Sequence, residues 1–203
     1  MRNKGMLLVL SGPSGSGKDT VIAELMKLGL PMVQSVSMTT RQPRDGEKDG
    51  VDYIFVDSDY FTSAVKQGKM LEYAKYGVNY YGTPKEPVDN HLSDGRIVIL
   101  KIDVQGCESI KAIYPDALTV FITPPNMQVL EKRLRRRGTD TDEDIERRLK
   151  IALDEINKIP LYDYVVINDE LEAAVDDVYT IIKAERLKVS RRNNILSEVT
   201  ENV

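Results

Sequence analysis

Met6-Leu7-Leu8-Val9-Leu10-Ser11-Gly12-Pro13-Ser14-Gly15-Ser16-Gly17-Lys18 runs from five apolar residues through a string of small ones to a lysine. From Gly12 to Lys18 the spacing is G-x-x-x-x-G-K. The setting is the one this motif requires: a buried strand before it and an amphipathic helix after it, expected over about 19–28 with Val21, Ile22, Leu25 and Leu28 on its apolar face. Gly12, Gly15 and Gly17 let the chain curl so that backbone N–H groups point inward, around Pro13, Ser14 and Ser16. Such a nest, at a helix N-terminus, cradles the phosphates of a nucleotide, and Lys18 then reaches the β- and γ-phosphates. A loop rich in glycine for turning alone would leave Lys18 unexplained.

The composition bounds what surrounds this loop. The 203 residues suit one domain, or one core carrying insertions, and 41% hydrophobic residues suffice for a real core. No apolar run approaches the roughly 18 residues needed to span a bilayer. A secretory leader is not expected, because cleavage behind it would remove the loop. The single cysteine, Cys107, excludes an internal disulfide framework, suits a reducing cytoplasm and reads as a small buried hydrophobe. The net charge of −4 argues against a general nucleic-acid binder but not against a small anionic ligand, for which local clusters decide.

Four apolar runs, 6–10, 97–100, 118–122 and 165–167, lack alternation and read as parallel strands covered on both faces. Leu171, Ala174, Val175, Val178, Ile181 and Ile182 recur at threes and fours, an amphipathic helix to about residue 188. Strands alternating with helices give an α/β fold with a parallel sheet, right-handed crossovers and ligands at the carboxyl ends of the strands. Residues 35–87 break that rhythm with many Tyr, Gly, Thr and Ser residues and read as a small inserted mixed sheet. Residues from about 126 to 160 are helical and densely charged. The tail after Ser190 is polar, with Ile195, Leu196 and Val199 spaced for a weak helix, and is expected to be mobile or lightly packed. The one histidine, His91, lies in an expected helix and reads as structural.

Ser35 to Arg44 carries two arginines three apart beside four hydroxyls and a proline. Arginine offers a planar fork matched to phosphate, so the segment suits an anion grip; a solvated basic turn is the plainer alternative. In the charged helical region Arg133 and Arg137 share a helix face. Acidic neighbours give Arg135, Arg136 and Arg147 exposed ion pairs instead.

Together the motifs resemble the guanylate kinase family, whose members move a phosphoryl group from ATP to GMP. The resemblance covers about 5–187: the loop at 12–18, Ser-x-Thr-Thr-Arg-x-Pro-Arg at 37–44, Gly-x-Asp-Tyr at 50–53, Leu-Glu-Tyr-Ala at 71–74 and Asn-Tyr-Tyr-Gly-Thr at 79–83. It continues through Ile-Asp-Val-Gln-Gly at 102–106, Arg-Gly-Thr-Asp at 137–140 and Tyr-Asp-Tyr-Val-Val-Ile-Asn at 162–168. It implies a phosphate-loop core (1–34, 88–125, 163–203), a GMP-binding subdomain (35–87) and a helical lid (126–162). Arg41, Arg44, Tyr53 and Tyr81 resemble the grip on the GMP phosphate. Glu72 resembles the guanine reader, a carboxylate able to accept from N1–H and N2–H together, whereas on its residues alone it would pass for a surface strand carboxylate. Ser37 and Thr83 resemble further base contacts, and Asp103 a second acceptor near the exocyclic amine. Arg133, Arg137 and Arg148 resemble lid residues closing on the ATP phosphates, with Lys18 and Arg41 completing the catalytic cations, and Asn168 resembles an adenine contact. The resemblance further implies ATP with Mg²⁺, GMP as acceptor with dGMP left open, a cytoplasmic monomer or weak homo-oligomer, and no nucleic-acid or membrane partner. No general base is required, since phosphoryl transfer rests on positioning and charge neutralisation.

Two positions depart from the pattern. The residue after the loop lysine is normally Ser or Thr, whose hydroxyl binds Mg²⁺, with glycine also found in the family; here it is Asp19, followed by Thr20. The strand ending at residue 100 should be followed by an acid; here it is Lys101. One reading sets Asp19 and Lys101 facing each other beneath the loop, with Asp19, or else Thr20, serving the metal through water. Another pairs Lys101 with Asp103 on the same strand face. Two alternatives stand beside the main functional reading. One is a ribose 1,5-bisphosphate kinase, to which Asp19 after the loop lysine is similar, but whose substrate has no guanine edge for Glu72 and Asp103 to read. The other is a non-catalytic guanylate-kinase-like binding module, against which the intact phosphate loop and the lid arginines weigh.

Overall fold

A computed structural model gives the structure of the chain and describes residues 4–136, 138, 141–192 and 195–200. In chain order the elements are β1 Met6–Ser11, α1 Lys18–Leu25, β2 Met32–Gln34, β3 Met38–Thr39, β4 Ile54–Phe55, α2 Ser58–Lys66, β5 Met70–Tyr76, β6 Asn79–Pro84 and α3 Lys85–Ser93. They continue with β7 Ile97–Lys101, α4 Val104–Ile113, β8 Leu118–Thr123, α5 Met127–Arg135, α6 Asp142–Ile156, β9 Tyr164–Ile167, α7 Leu171–Arg186 and α8 Ile195–Thr200.

Five parallel strands in the order β2-β7-β1-β8-β9 form the main sheet. The unbroken apolar run of β1 follows from its place at the centre. Met6, Leu8 and Leu10 pack toward α1 and α7, while Leu7 and Val9 pack on the other face with Val88, Cys107 and Ile110 from α3 and α4. The four expected strands are present, with β2 as a fifth. The strand over 165–167 was expected to be covered on both faces; as the edge strand β9 it leaves Val165 and Ile167 about half exposed, 49% and 57%. Helix α1 also ends earlier than its apolar spacing suggests. It stops at Leu25, and Leu28 is exposed rather than part of the buried face.

A second sheet, β4-β3-β6-β5, lies wholly within the connection from β2 to β7. It is mixed: β3 runs parallel to β4 and antiparallel to β6, and β5 and β6 form a hairpin closed at Gly77-Val78. The pairing slips between Met70 and Glu72, an irregularity of the kind that re-aims a side chain. Asn126 and Thr141 cap α5 and α6, and Thr141 and Asp144 satisfy each other's backbone in a capping box. Arg135 pairs with Glu131 and Asp142, and Arg147 with Asp144, the exposed pairs expected of this region.

Just beyond α7 the chain is tied back at Lys188 and Arg191, whereas Val199 of the tail is exposed. The Arg191 guanidinium donates to the Asp116 carbonyl and approaches the buried Glu185 carboxylate, which also accepts from Tyr164 and pairs with Lys188. Among the described residues no helix is long and apolar enough to cross a membrane.

Candidate active site

A cavity of about 540 Å³ opens at the carboxyl ends of the parallel strands. The 12–18 loop forms one wall, the second sheet the facing wall, and α6 one side.

The loop's shape is imposed by its neighbours. Gly12, Gly15 and Gly17 have φ of 136°, 92° and 92°, values that L side chains rarely adopt. A Cβ at Gly12 would lie 2.0 Å from the Ile122 carbonyl oxygen, and one at Gly17 2.2 Å from Asn168 Nδ2. Gly17 stands as the N-cap of α1, so the loop delivers the first helical N–H groups to the cavity. Lys18 Nζ lies over the loop, donating to the Gly12 and Pro13 carbonyls at 2.5 and 3.0 Å. Asn168, expected beside adenine, is buried and outside the cavity; its side-chain amide donates to the Ser16 carbonyl at 2.7 Å and so braces the loop from behind.

On the facing wall Glu72 is 9% exposed. It stands across the β5–β6 ladder from Thr83, whose hydroxyl donates to Glu72 Oε1 at 2.6 Å. Burial, reinforced by the nearby Asp103 charge and opposed by the Thr83 hydrogen bond, pushes the Glu72 carboxyl above its ordinary range. Asp103 is the N-cap of α4: its Oδ1 accepts from the Gly106 N–H at 2.7 Å, and its Oδ2 accepts from the Tyr76 hydroxyl. Gly106 is what lets the two carboxylates converge. A Cβ there would lie 3.1 Å from Glu72 Oε2 and 3.3 Å from Asp103 Oδ1. No sequence signal singles out Tyr76, and the role of Gly106 is not spelled by its place at the end of the 102–106 motif.

Ser37, Tyr53 and Tyr81 also line the cavity, the two tyrosine rings edge to face at 6.0 Å. Arg41 sits just behind them. Its guanidinium is held by both oxygens of Glu47 at 2.8 Å and lies 5.2 Å from the Tyr53 ring centroid. That bidentate pair keeps the Glu47 carboxyl near 2, well below the usual range, with a further contribution from the Arg44 N–H. The Arg44 side chain is exposed and outside the cavity lining.

The helical side supplies three further groups. Arg148 of α6 reaches the phosphate loop, donating to Ser14 Oγ at 3.3 Å. Arg133 of α5 donates through Nη2 to the Asn168 carbonyl at 2.8 Å, and its Nη1 is buried with no partner among the described residues. Arg137 lies outside the described residues. Glu155, which no motif announced, points from α6 into the cavity, and burial lifts its carboxyl to about 7, opposed by Lys18 and aided by Asp103. On a densely charged helix no sequence signal separates it from its solvated neighbours.

Lys101 donates to Asp19 Oδ1 at 2.5 Å, and the pairing with Asp103 is not formed among the described residues. Asp19 lines the cavity, whereas Thr20 is exposed and outside that lining.

The chain is similar over nearly its whole length to known proteins. The guanylate kinase family model matches residues 4–185. The guanylate kinase of Carboxydothermus hydrogenoformans is 47% identical over 191 residues, covering 94% of each chain. That of Latilactobacillus sakei is 47% identical over 192 residues, covering 94% of this chain and 95% of its own. The crystal structure of guanylate kinase from Anaplasma phagocytophilum superposes with a TM-score of 0.75 at 36% identity, covering 92% of this chain and 89% of that one.

Proposed function

The chain belongs to the guanylate kinase family and transfers the γ-phosphoryl group of ATP to GMP, and we propose that the two walls of its cavity divide that work. In the transfer a GMP phosphate oxygen forms a bond to the γ-phosphorus as the bond to the β–γ bridging oxygen breaks, leaving ADP and GDP. The observation that carries the assignment is a phosphate cradle facing a carboxylate pair, the buried Glu72 and the half-buried Asp103, across one cavity.

We infer that residues 1–34, 88–125 and 163–203 act as the ATP-holding core, 35–87 as the GMP-binding part and 126–162 as the lid. The loop 12–18 holds the ATP phosphates on its N–H groups, with Lys18 leaving the Gly12 and Pro13 carbonyls to reach them. Glu72 accepts from guanine N1–H and N2–H, Thr83 fixes the carboxylate's orientation, and Asp103 takes a further donor on the lone pairs that Gly106 and Tyr76 leave open. Ser37 donates to the base. Tyr53, Tyr81, Arg41 and Arg44 hold the GMP phosphate. Arg148, Arg133 and Arg137 neutralise phosphoryl oxygens as the lid closes; supporting this, Arg148 already spans from α6 to the loop, and Arg133, outside the cavity lining here, carries a buried N–H in want of an acceptor. Closure also keeps water, the competing acceptor, from the transferring group. Asn168 serves ATP by bracing the loop.

Mg²⁺ would accompany ATP. The residue that would hold it, together with phosphate oxygens and water, is Asp19, a hard oxygen donor on the cavity wall. When bound it lowers the charge that the phosphates present to an incoming nucleophile. We infer further that the enzyme works in the cytoplasm as a monomer or weak homo-oligomer without nucleic-acid partners, a reading supported by the single cysteine and the net charge of −4.

The direct test offers GMP, AMP, UMP and ribose 1,5-bisphosphate in parallel with ATP and Mg²⁺, and follows ADP release. Turnover with GMP alone is the expected outcome. ATP binding without turnover on any acceptor would remove the enzymatic reading in favour of a binding module. A second expectation concerns Gly106→Ala. The added methyl presses on Glu72 and Asp103 while suiting a helical backbone, so KM for GMP should rise about tenfold with little change in melting temperature. Unchanged KM would show that the carboxylates need no such room.

A further inference from the structure

The Asp19–Lys101 ion pair is a weak element of the fold in a sensitive place. The Asp19 side chain is 74% exposed and that of Lys101 32%. Ion pairs this open contribute little to stability, so the pair is not there to hold α1 to the sheet. Its location is specific, however. Lys101 is the last residue of β7 and lies beside Leu10 in the ladder, one residue before the strand β1 gives way to the phosphate loop. Asp19 follows the loop lysine in the first turn of α1. Both side chains line the cavity that also holds Gly12, Gly15 and Lys18. A carboxylate beside the phosphate cradle therefore carries an ammonium group at 2.5 Å.

Resting on the phosphoryl-transfer reading above, we propose that Asp19 is the metal-side carboxylate of this enzyme and that Lys101 is its built-in competitor, displaced when a divalent cation arrives with the nucleotide. A carboxylate oxygen engaged by an ammonium at this distance has its charge and one face already committed. A divalent cation brings twice the charge and takes the same oxygen. Lys101 has a flexible four-carbon stem and three donors, so it can swing off Asp19 without disturbing β7. The exchange makes divalent-metal binding weaker than Asp19 alone would give, and the deficit belongs to the pair rather than to either residue.

A thermodynamic cycle isolates that term. Mn²⁺ is titrated into the ADP complex of the wild type, K101M, D19N and the double variant, and free Mn²⁺ is read by electron paramagnetic resonance. With Asp19 present, K101M should tighten Mn²⁺ binding about fivefold, the upper end of what an exposed ion pair contributes. In the D19N background the same substitution should change nothing. K101R, which keeps the pair, should resemble the wild type and guards against a folding artefact. An equal gain in both backgrounds would reduce Lys101 to a general positive potential and overturn the proposal, as would no gain in either. The test needs no acceptor nucleotide, so its failure would leave the GMP-dependent ADP-release assay, and the function read from it, untouched.

Discussion

Glu72→Gln should lower kcat/KM for GMP about 10²- to 10³-fold, roughly 3–4 kcal/mol of transition-state stabilisation, while leaving the affinity for ATP unchanged. The structure says why so conservative a change is costly. The Thr83 hydroxyl donates to Glu72 Oε1, so a glutamine at this position keeps its carbonyl oxygen there and turns its amide nitrogen toward the base. A donor then faces the guanine donors, on a residue only 9% exposed, where the bound base leaves water no room to repair the mismatch. A pH profile gives a second readout. Burial raises the Glu72 carboxyl, and only its ionised form accepts both guanine protons. GMP affinity is therefore fully present above that raised value and falls as pH drops through it. The GMP phosphate titrates near pH 6 in wild type and variant alike, so the difference between their profiles reports Glu72. Wild-type efficiency with GMP in the variant would remove Glu72 from the base-reading role.

Arg41→Met should raise KM for GMP about 30- to 200-fold, about 2–3 kcal/mol, with the fold and ATP binding intact. Arg41 is pre-organised: two hydrogen bonds to Glu47 fix the fork, and the Tyr53 ring lies 5.2 Å from it. Methionine keeps much of the apolar contact with Tyr53 and Phe55 and loses the fork. It also strands the Glu47 carboxylate: Arg41 no longer holds its pKa down, but an ordinary carboxylate is still charged at neutral pH, close to where the GMP phosphate is proposed to sit. Repulsion then adds to the lost attraction. Binding of GMP by calorimetry, with ATP as the control ligand, measures the effect; unaltered GMP affinity would place the phosphate elsewhere.

The sequence discloses the parts of this molecule that are periodic or spelled by spacing. β1, β7 and β8 are buried on both faces, so their runs are continuous and directly legible. β2 escapes because three residues ending in an exposed Gln34 carry no pattern. Leu28 misleads because hydrophobic spacing continues past the point where the helix stops, the chain turning at Gly29 with φ 74°. The phosphate loop is a local device and is legible as such. The carboxylate pair is not local: Glu72 owes its burial to a strand irregularity, to Thr83 across the ladder and to the bare Gly106 on α4. Without the family resemblance its residues say only that an acid lies in a short strand. Glu155 escapes for the same reason, since tertiary burial, not sequence, distinguishes it from the other acids of α6.

The second sheet has one more consequence, which concerns how the molecule opens rather than how it reacts. It is hung between neighbouring strands β2 and β7, so it can loosen without breaking the ladder of the main sheet. Its own apolar interior is slight, centred on Phe61 stacked against Tyr80 at 5.4 Å. Backbone amides of β3 to β6 should therefore exchange with solvent through cheap local unfolding, while those of β1, β7 and β8 exchange only when the whole chain opens. A ligand that binds only the ordered form raises the cost of that local opening in proportion to the logarithm of its concentration. The acceptor nucleotide, besides being a substrate, then serves as the missing piece of this subdomain's core.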